Sequence, residues 1–159
     1  MLKILRTFME DLGNAEEPEV VVHSQKQLAQ AALMYHVIAV DGVIRDEERV
    51  RLIEVLSAEF EIDEDEANQL ARDGRDAEHE AIDLYQFTSV LKRALDEQER
   101  IAMIESLWEM VFADGVVHEM EDNVVWRVAE LLGVDTRDRM LLKQRVWKRI
   151  SEEESADDG

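Results

Sequence analysis

Asp41-Gly42-Val43-Ile44, with Glu48 seven residues after the aspartate, recurs as Asp114-Gly115-Val116-Val117, with Glu121 seven residues after its own aspartate. The two copies are offset by 73 residues. The match extends outward from both. Met34-Tyr35 precedes the first copy as Leu107-Trp108 precedes the second. Ala58-Glu59-Phe60 and Ile62-Asp63 follow the first as Ala129-Glu130-Leu131 and Val134-Asp135 follow the second, after one slip of register. A repeated unit of this length suggests a pseudo-symmetric domain and places two carboxylate-bearing turns in related positions.

The segments around these turns have helical periodicity. Ser24 with Gln27 forms a capping-box pattern, and Leu28, Ala31, Ala32, Tyr35, Ile38 and Ala39 follow at helical spacing. A second helix is predicted from Asp46, burying Val50, Ile53, Leu56 and Phe60. Asp63 with Glu66 opens a third helix, to about His79. Asp83 caps a fourth, with Leu84, Phe87, Val90, Leu91 and Leu95. Residues 97–113 put Ile101, Ile104, Leu107, Trp108, Val111 and Phe112 on one broad face. A helix over 119–132 carries Val124, Val125, Val128, Leu131 and Leu132 and stops at Gly133. Asp135 caps the last helix, with Met140, Leu141, Val146, Trp147 and Ile150 inward.

No stretch alternates with a period of two and no hairpin signal is present. The expected fold is all-α: a single helical-bundle domain of about seven to eight helices with an internal pseudo-two-fold repeat. The expected divisions are an N-terminal helix and linker over 1–23, the helical domain over 24–151, and a disordered acidic tail over 152–159.

Composition narrows the function. The chain has 159 residues, one proline, no cysteine and a formal net charge of −20. Disulfides, thiolate metal sites and a cysteine nucleophile are excluded. Nucleic acid is an unfavourable partner, because binding it requires cations that displace phosphate counterions. The most apolar run, Leu28 to Val40, is too short to cross a bilayer, so stable membrane insertion is not expected. The segment Met1-Leu2-Lys3-Ile4-Leu5-Arg6 lacks the apolar core and cleavage site of a signal peptide, and a cytoplasmic location is expected.

Each turn matches the second half of an EF-hand calcium loop. With Asp41 at loop position five, Gly42 is six, Ile44 eight and Glu48 twelve; Gly115, Val117 and Glu121 align equally. The first half is missing, because positions one and three fall on Val37 and Ala39, or Met110 and Phe112. One such loop has too few oxygens for calcium. Two loops brought together would pool Asp41, Glu48, Asp114 and Glu121, with Asp46, Glu47, Glu119 and Asp122 near. That donor set suits a hard divalent cation, calcium before magnesium or manganese. The alternative is turn chemistry without metal. In that reading glycine takes positive φ, Ile44 and Val117 plug the core, and Glu48 and Glu121 favour the helix N-termini.

Ala39-Val40-Asp41-Gly42-Val43-Ile44 with Glu47-Glu48, and Phe112-Ala113-Asp114-Gly115-Val116-Val117 with Glu121, resemble the tellurite-resistance TerB family and its paired A-D-G-x-[IV]-x-x-x-E turns. The resemblance covers roughly residues 24–150, with Val40 at a usual alanine and Met120 at the counterpart of Glu47. It implies an all-helical, non-catalytic bacterial module with an acidic, calcium-binding surface. It also implies a link to tellurium oxyanions or other stress, exercised through protein partners. The competing expectation is a metal-independent acidic protein-interaction module.

No H-E-x-x-H, Walker, G-x-G-x-x-G or G-x-S-x-G pattern is present, so no enzyme and no organic cofactor are expected. His36 reads as a satisfied core or interface histidine, and His118 as an exposed neighbour of the second turn. Trp108 and Trp147 fit apolar stripes; Trp126, beside Val125, reads as core, with a surface anchor for a partner as the alternative. Arg137, Arg139, Lys143, Arg145, Lys148 and Arg149 make the last helix locally basic.

Overall fold

The computed structural model describes residues 23–157, with side chains to residue 153. The expected N-terminal helix lies outside the described residues. Seven helices and no strand are found among those described: α1 Gln25–Ala39, α2 Asp46–Phe60, α3 Glu64–Glu80, α4 Tyr85–Ala94, α5 Glu97–Val111, α6 Glu119–Leu131 and α7 Thr136–Asp157.

Local chemistry starts these helices where the sequence indicates. The Gln27 N–H donates to Ser24 Oγ at 3.1 Å, and the Ser24 N–H donates to Gln27 Oε1 at 3.2 Å. Asp96 and Glu99 form the same reciprocal pair ahead of α5, at 2.8 and 3.1 Å. Asp63 accepts the Glu66 N–H at 2.8 Å ahead of α3. Each cap satisfies amides that have no partner inside the helix.

The core is built around α1 and α5. Helix α1 packs on α2, α3, α4, α5 and α6, and its residues Ala31 to Met34 are completely buried. Gly74 of α3 lets α1 come unusually close: a Cβ there would stand 2.7 Å from Ala31 Cβ and 2.8 Å from its carbonyl carbon. In α5, Trp108 is fully buried, stacked on Phe112 with centroids 5.4 Å apart, and Trp126 of α6 meets it edge-on at 6.0 Å. Trp147 of α7 closes on Phe112 at 5.1 Å. Full burial of a large apolar side chain contributes about 1.5–3 kcal/mol, so these helices hold most of the fold.

Residues 73 positions apart meet where α1 faces α5. Lys26 Nζ lies 3.3 Å from Glu99 Oε2, and Gln30 Nε2 lies 3.4 Å from Met103 Sδ. Helix α2 packs on α5, and α1 packs on α6.

The structure corrects the expected phase of two helices. Val50 is 57% exposed; the inward stripe of α2 is Glu48, Leu52, Val55 and Leu56. Helix α6 has the same stripe 73 residues on: Glu121, Val125, Val128 and Ala129. A buried carboxylate takes the first place of each stripe and sets the phase, which counting apolar residues alone misses. In α7, Met140 and Leu141 are exposed, while Leu142 and Val146 face the core. Residues 152–157, expected as disordered tail, continue α7 instead. Neither glycine nor proline interrupts Ser151 to Asp157, and glutamate is a good helix former.

Candidate functional site

Both Asp-Gly turns are built alike. After α1, Gly42 takes φ +81° and Asp41 accepts the Val43 N–H at 3.0 Å. After α5, Gly115 takes φ +79° and Asp114 accepts the Val116 N–H at 3.1 Å. The positive φ reverses the chain into the next helix at little cost to glycine. Val37 and Met110, at missing front positions of the EF-hand pattern, are buried inside helices, and Phe112 is buried at the C-cap of α5. Ile44 packs on the core, but Val117, expected there too, is 46% exposed.

The fold brings all four turn carboxylates to one guanidinium. Arg45 Nη1 donates to Asp41 Oδ2 at 3.1 Å, to Glu48 Oε1 at 3.4 Å and to Glu121 Oε1 at 3.0 Å. Its Nε lies 3.6 Å from Asp114 Oδ2. The Arg45 N–H also reaches Glu48 Oε1, at 3.3 Å. Glu48 and Glu121 are completely buried, and the Arg45 side chain keeps 23% of its exposure. Oε2 of each buried glutamate has no hydrogen-bond partner among the described residues. His118 Nε2 sits 2.8 Å from Asp114 Oδ2 and is mostly buried, contrary to the exposure expected of it.

Electrostatics separates the carboxyls. Burial pushes Glu121 up to about 9, aided by the adjacent Glu48 carboxyl and by the charge of Asp41, with Arg45 opposing. Burial also disfavours the charged form of Asp41. The Val43 N–H and the charges of Arg45 and His118 outweigh it and hold Asp41 below its ordinary value.

The four carboxylates named from the sequence therefore share one centre, and the proposed helpers do not. Asp46, Glu47 and Glu119 are exposed, and Asp122 pairs with Lys143 Nζ at 2.7 Å. Arg45 is the residue that sequence reading passed over. The available signal was a cation-capable residue four positions after each aspartate, Arg45 and His118. Three of the six basic residues of the last helix turn onto the protein's own acids: Arg149 onto Glu105 and Glu109, Arg145 onto Glu105, and Lys143 onto Asp122. Trp126 is partly buried, with Arg139 and Lys143 over its ring. His36 Nδ1 lies 3.0 Å from Glu78 Oε1.

The donors suit a hard divalent cation, since all are carboxylate oxygens and two are buried without partners. With Arg45 among them they do not form a ready-made ligand set, and no group of three metal-binding side chains is found among the described residues.

An all-helical domain that presents two Asp-Gly turns around one buried acidic centre defines a class of acidic, turn-based helical modules. The family model described as Tellurite resistance protein TerB matches residues 27–144, and the chain belongs to that family. Comparison with curated proteins and with solved structures gave no match. Among the described residues no helix is long and apolar enough to cross a membrane.

Proposed function

We propose that this chain is a non-catalytic, tellurite-resistance-like module that binds a divalent cation, calcium before magnesium or manganese, between its two Asp-Gly turns. We further propose that it acts in a bacterial stress response through association with protein partners. The observation that carries this reading is the pair of buried, unpartnered oxygens, Glu48 Oε2 and Glu121 Oε2, in one centre with Asp41 and Asp114. Four carboxylates there face a single guanidinium, and burying unbalanced charge is costly.

Asp41, Glu48, Asp114 and Glu121 would hold the ion, which would supply the positive charge that the centre lacks. Arg45 is the resident counterion and can withdraw to solvent, because it is already partly exposed. Glu121 must give up its proton first, so affinity rises with pH up to about 9. The two turns belong to halves that read as a pseudo-two-fold pair, so ion binding links α2 to α6 and stiffens their packing.

Arg45 itself favours a second reading. A guanidinium that already satisfies one oxygen of each carboxylate makes a metal-independent module, with exposed Val43, Val116 and Met120 around the turns as a contact surface.

Calorimetric titration of calcium into metal-stripped protein separates the two. The cation reading expects saturable heat that is lost in the Asp41→Asn, Asp114→Asn double variant and strengthened in Arg45→Ala. Absence of heat from both wild type and Arg45→Ala, with folding intact by circular dichroism, rejects it in favour of the metal-independent module.

A further inference from the structure

The chain carries 38 acidic and 18 basic residues, so a groove where bases outnumber acids needs a reason. One such groove lies between α4 and α6, with a volume of about 730 Å³. Lys92, Arg93 and Arg127 line it against the single carboxylate of Glu130. Three other grooves show the opposite balance. Between α2, α5 and α7, five carboxylates meet Arg51 and Arg149. In each of the remaining two, three carboxylates meet one arginine.

Among the described residues, none of the three cations has a partner within the fold. Most other basic side chains pair with a carboxylate or a carbonyl: Lys26 with Glu99, Arg51 with Glu109, Lys143 with Asp122, Arg100 with the Leu95 and Leu132 carbonyls. Among the described residues, Lys92, Arg93 and Arg127 have no carboxylate within 4.0 Å, although Glu130 stands one helical turn from Arg127. All three are exposed, and so is Tyr85, at 66%. Ser89 adds a hydroxyl donor to the lining.

We propose that this groove binds a small phosphate-bearing ligand with two or more phosphoryl groups. Two guanidinium forks, an ammonium and a hydroxyl match phosphate oxygens, and the arginines offer paired N–H donors. The volume falls within the usual span of small-ligand sites. A net charge of −20 repels a long polyanion, so a small ligand fits where nucleic acid does not. Tyr85 gives a flat ring at the rim for a base or other planar group.

The test is titration of metal-free, isotope-labelled protein with sodium pyrophosphate at low salt, followed by amide shifts. Working without metal keeps the outcome independent of the acidic turns. Saturable shifts centred on Ser89 and Arg127 are expected. The Arg93→Glu, Arg127→Glu variant should weaken binding by about tenfold or more, and Lys92→Ala by a smaller factor. Arg49→Glu, half that charge change at an exposed site elsewhere, should change it less than about twofold. ADP run in parallel identifies the ligand type: tighter binding than pyrophosphate, with the gain lost in Tyr85→Ala, indicates a nucleotide, and equal binding indicates inorganic polyphosphate. The proposal is overturned by equal weakening in the Arg49→Glu control, by shifts that do not saturate, or by a poly-glutamate peptide that binds where pyrophosphate does not.

Discussion

Arg45 and His118 stand 73 positions apart, and each reaches back to the aspartate four residues before it, at 3.1 Å for Asp41 and 2.8 Å for Asp114. They share a position but not a role. The guanidinium is long enough to cross to Glu121 and Asp114, whereas the described contacts of His118 stay within its own turn. The acidic centre is therefore held from one side.

This asymmetry predicts unequal costs. Arg45→Ala leaves buried Glu48 without its countercharge and should cost about 3–5 kcal/mol, near the lower end because Glu121 already holds its proton below about 9. His118→Ala removes one contact to a partly solvated carboxylate and should cost under about 1 kcal/mol. Urea denaturation of both variants checks the ratio. Equal losses would mean that Arg45 does not carry the centre.

The raised Glu121 pKa predicts a pH slope. The folded chain holds a proton on Glu121 up to about 9, while the unfolded chain releases it near the ordinary 4.5. The folded state binds more protons between those values, so this contribution to stability is full below about 4.5 and is lost as pH rises toward 9. Asp41 acts oppositely: its lowered pKa contributes stability above 3.8 that disappears as pH falls through the folded value. Denaturation midpoints at pH 5, 7 and 9 should fall in wild type and stay flatter in Glu121→Gln.

Gly74→Ala sets helix propensity against space. Alanine favours a helix interior by about 1 kcal/mol. Here its Cβ would meet Ala31 at 2.7 Å, against the backbone of the best-buried helix. Overpacking typically costs about 1–3 kcal/mol, so a net loss is expected. A gain in urea midpoint would show that α1 and α3 separate freely.

Much of the fold was legible because its signals are local. Ser24-Gln27, Asp63-Glu66 and the Asp-Gly turns act within a few residues, and the helices begin or end where those residues direct. Helix phase was less legible. Periodicity counts apolar residues, yet Glu48 and Glu121 lead the inward stripes of α2 and α6, and Val50 faces solvent. The same bias placed Met140 and Leu141 inward, although Leu142 and Val146 hold the core positions.

The sequence by itself determined the helical class, the paired turns and the four carboxylates, because capping, glycine conformation and spacing are properties of short segments. Only the tertiary structure decided that those carboxylates meet, that Arg45 stands among them, and that Lys92, Arg93 and Arg127 share a groove. Each of these depends on how helices distant in sequence pack, and packing buries some charges and exposes others irrespective of their nearest neighbours in the chain.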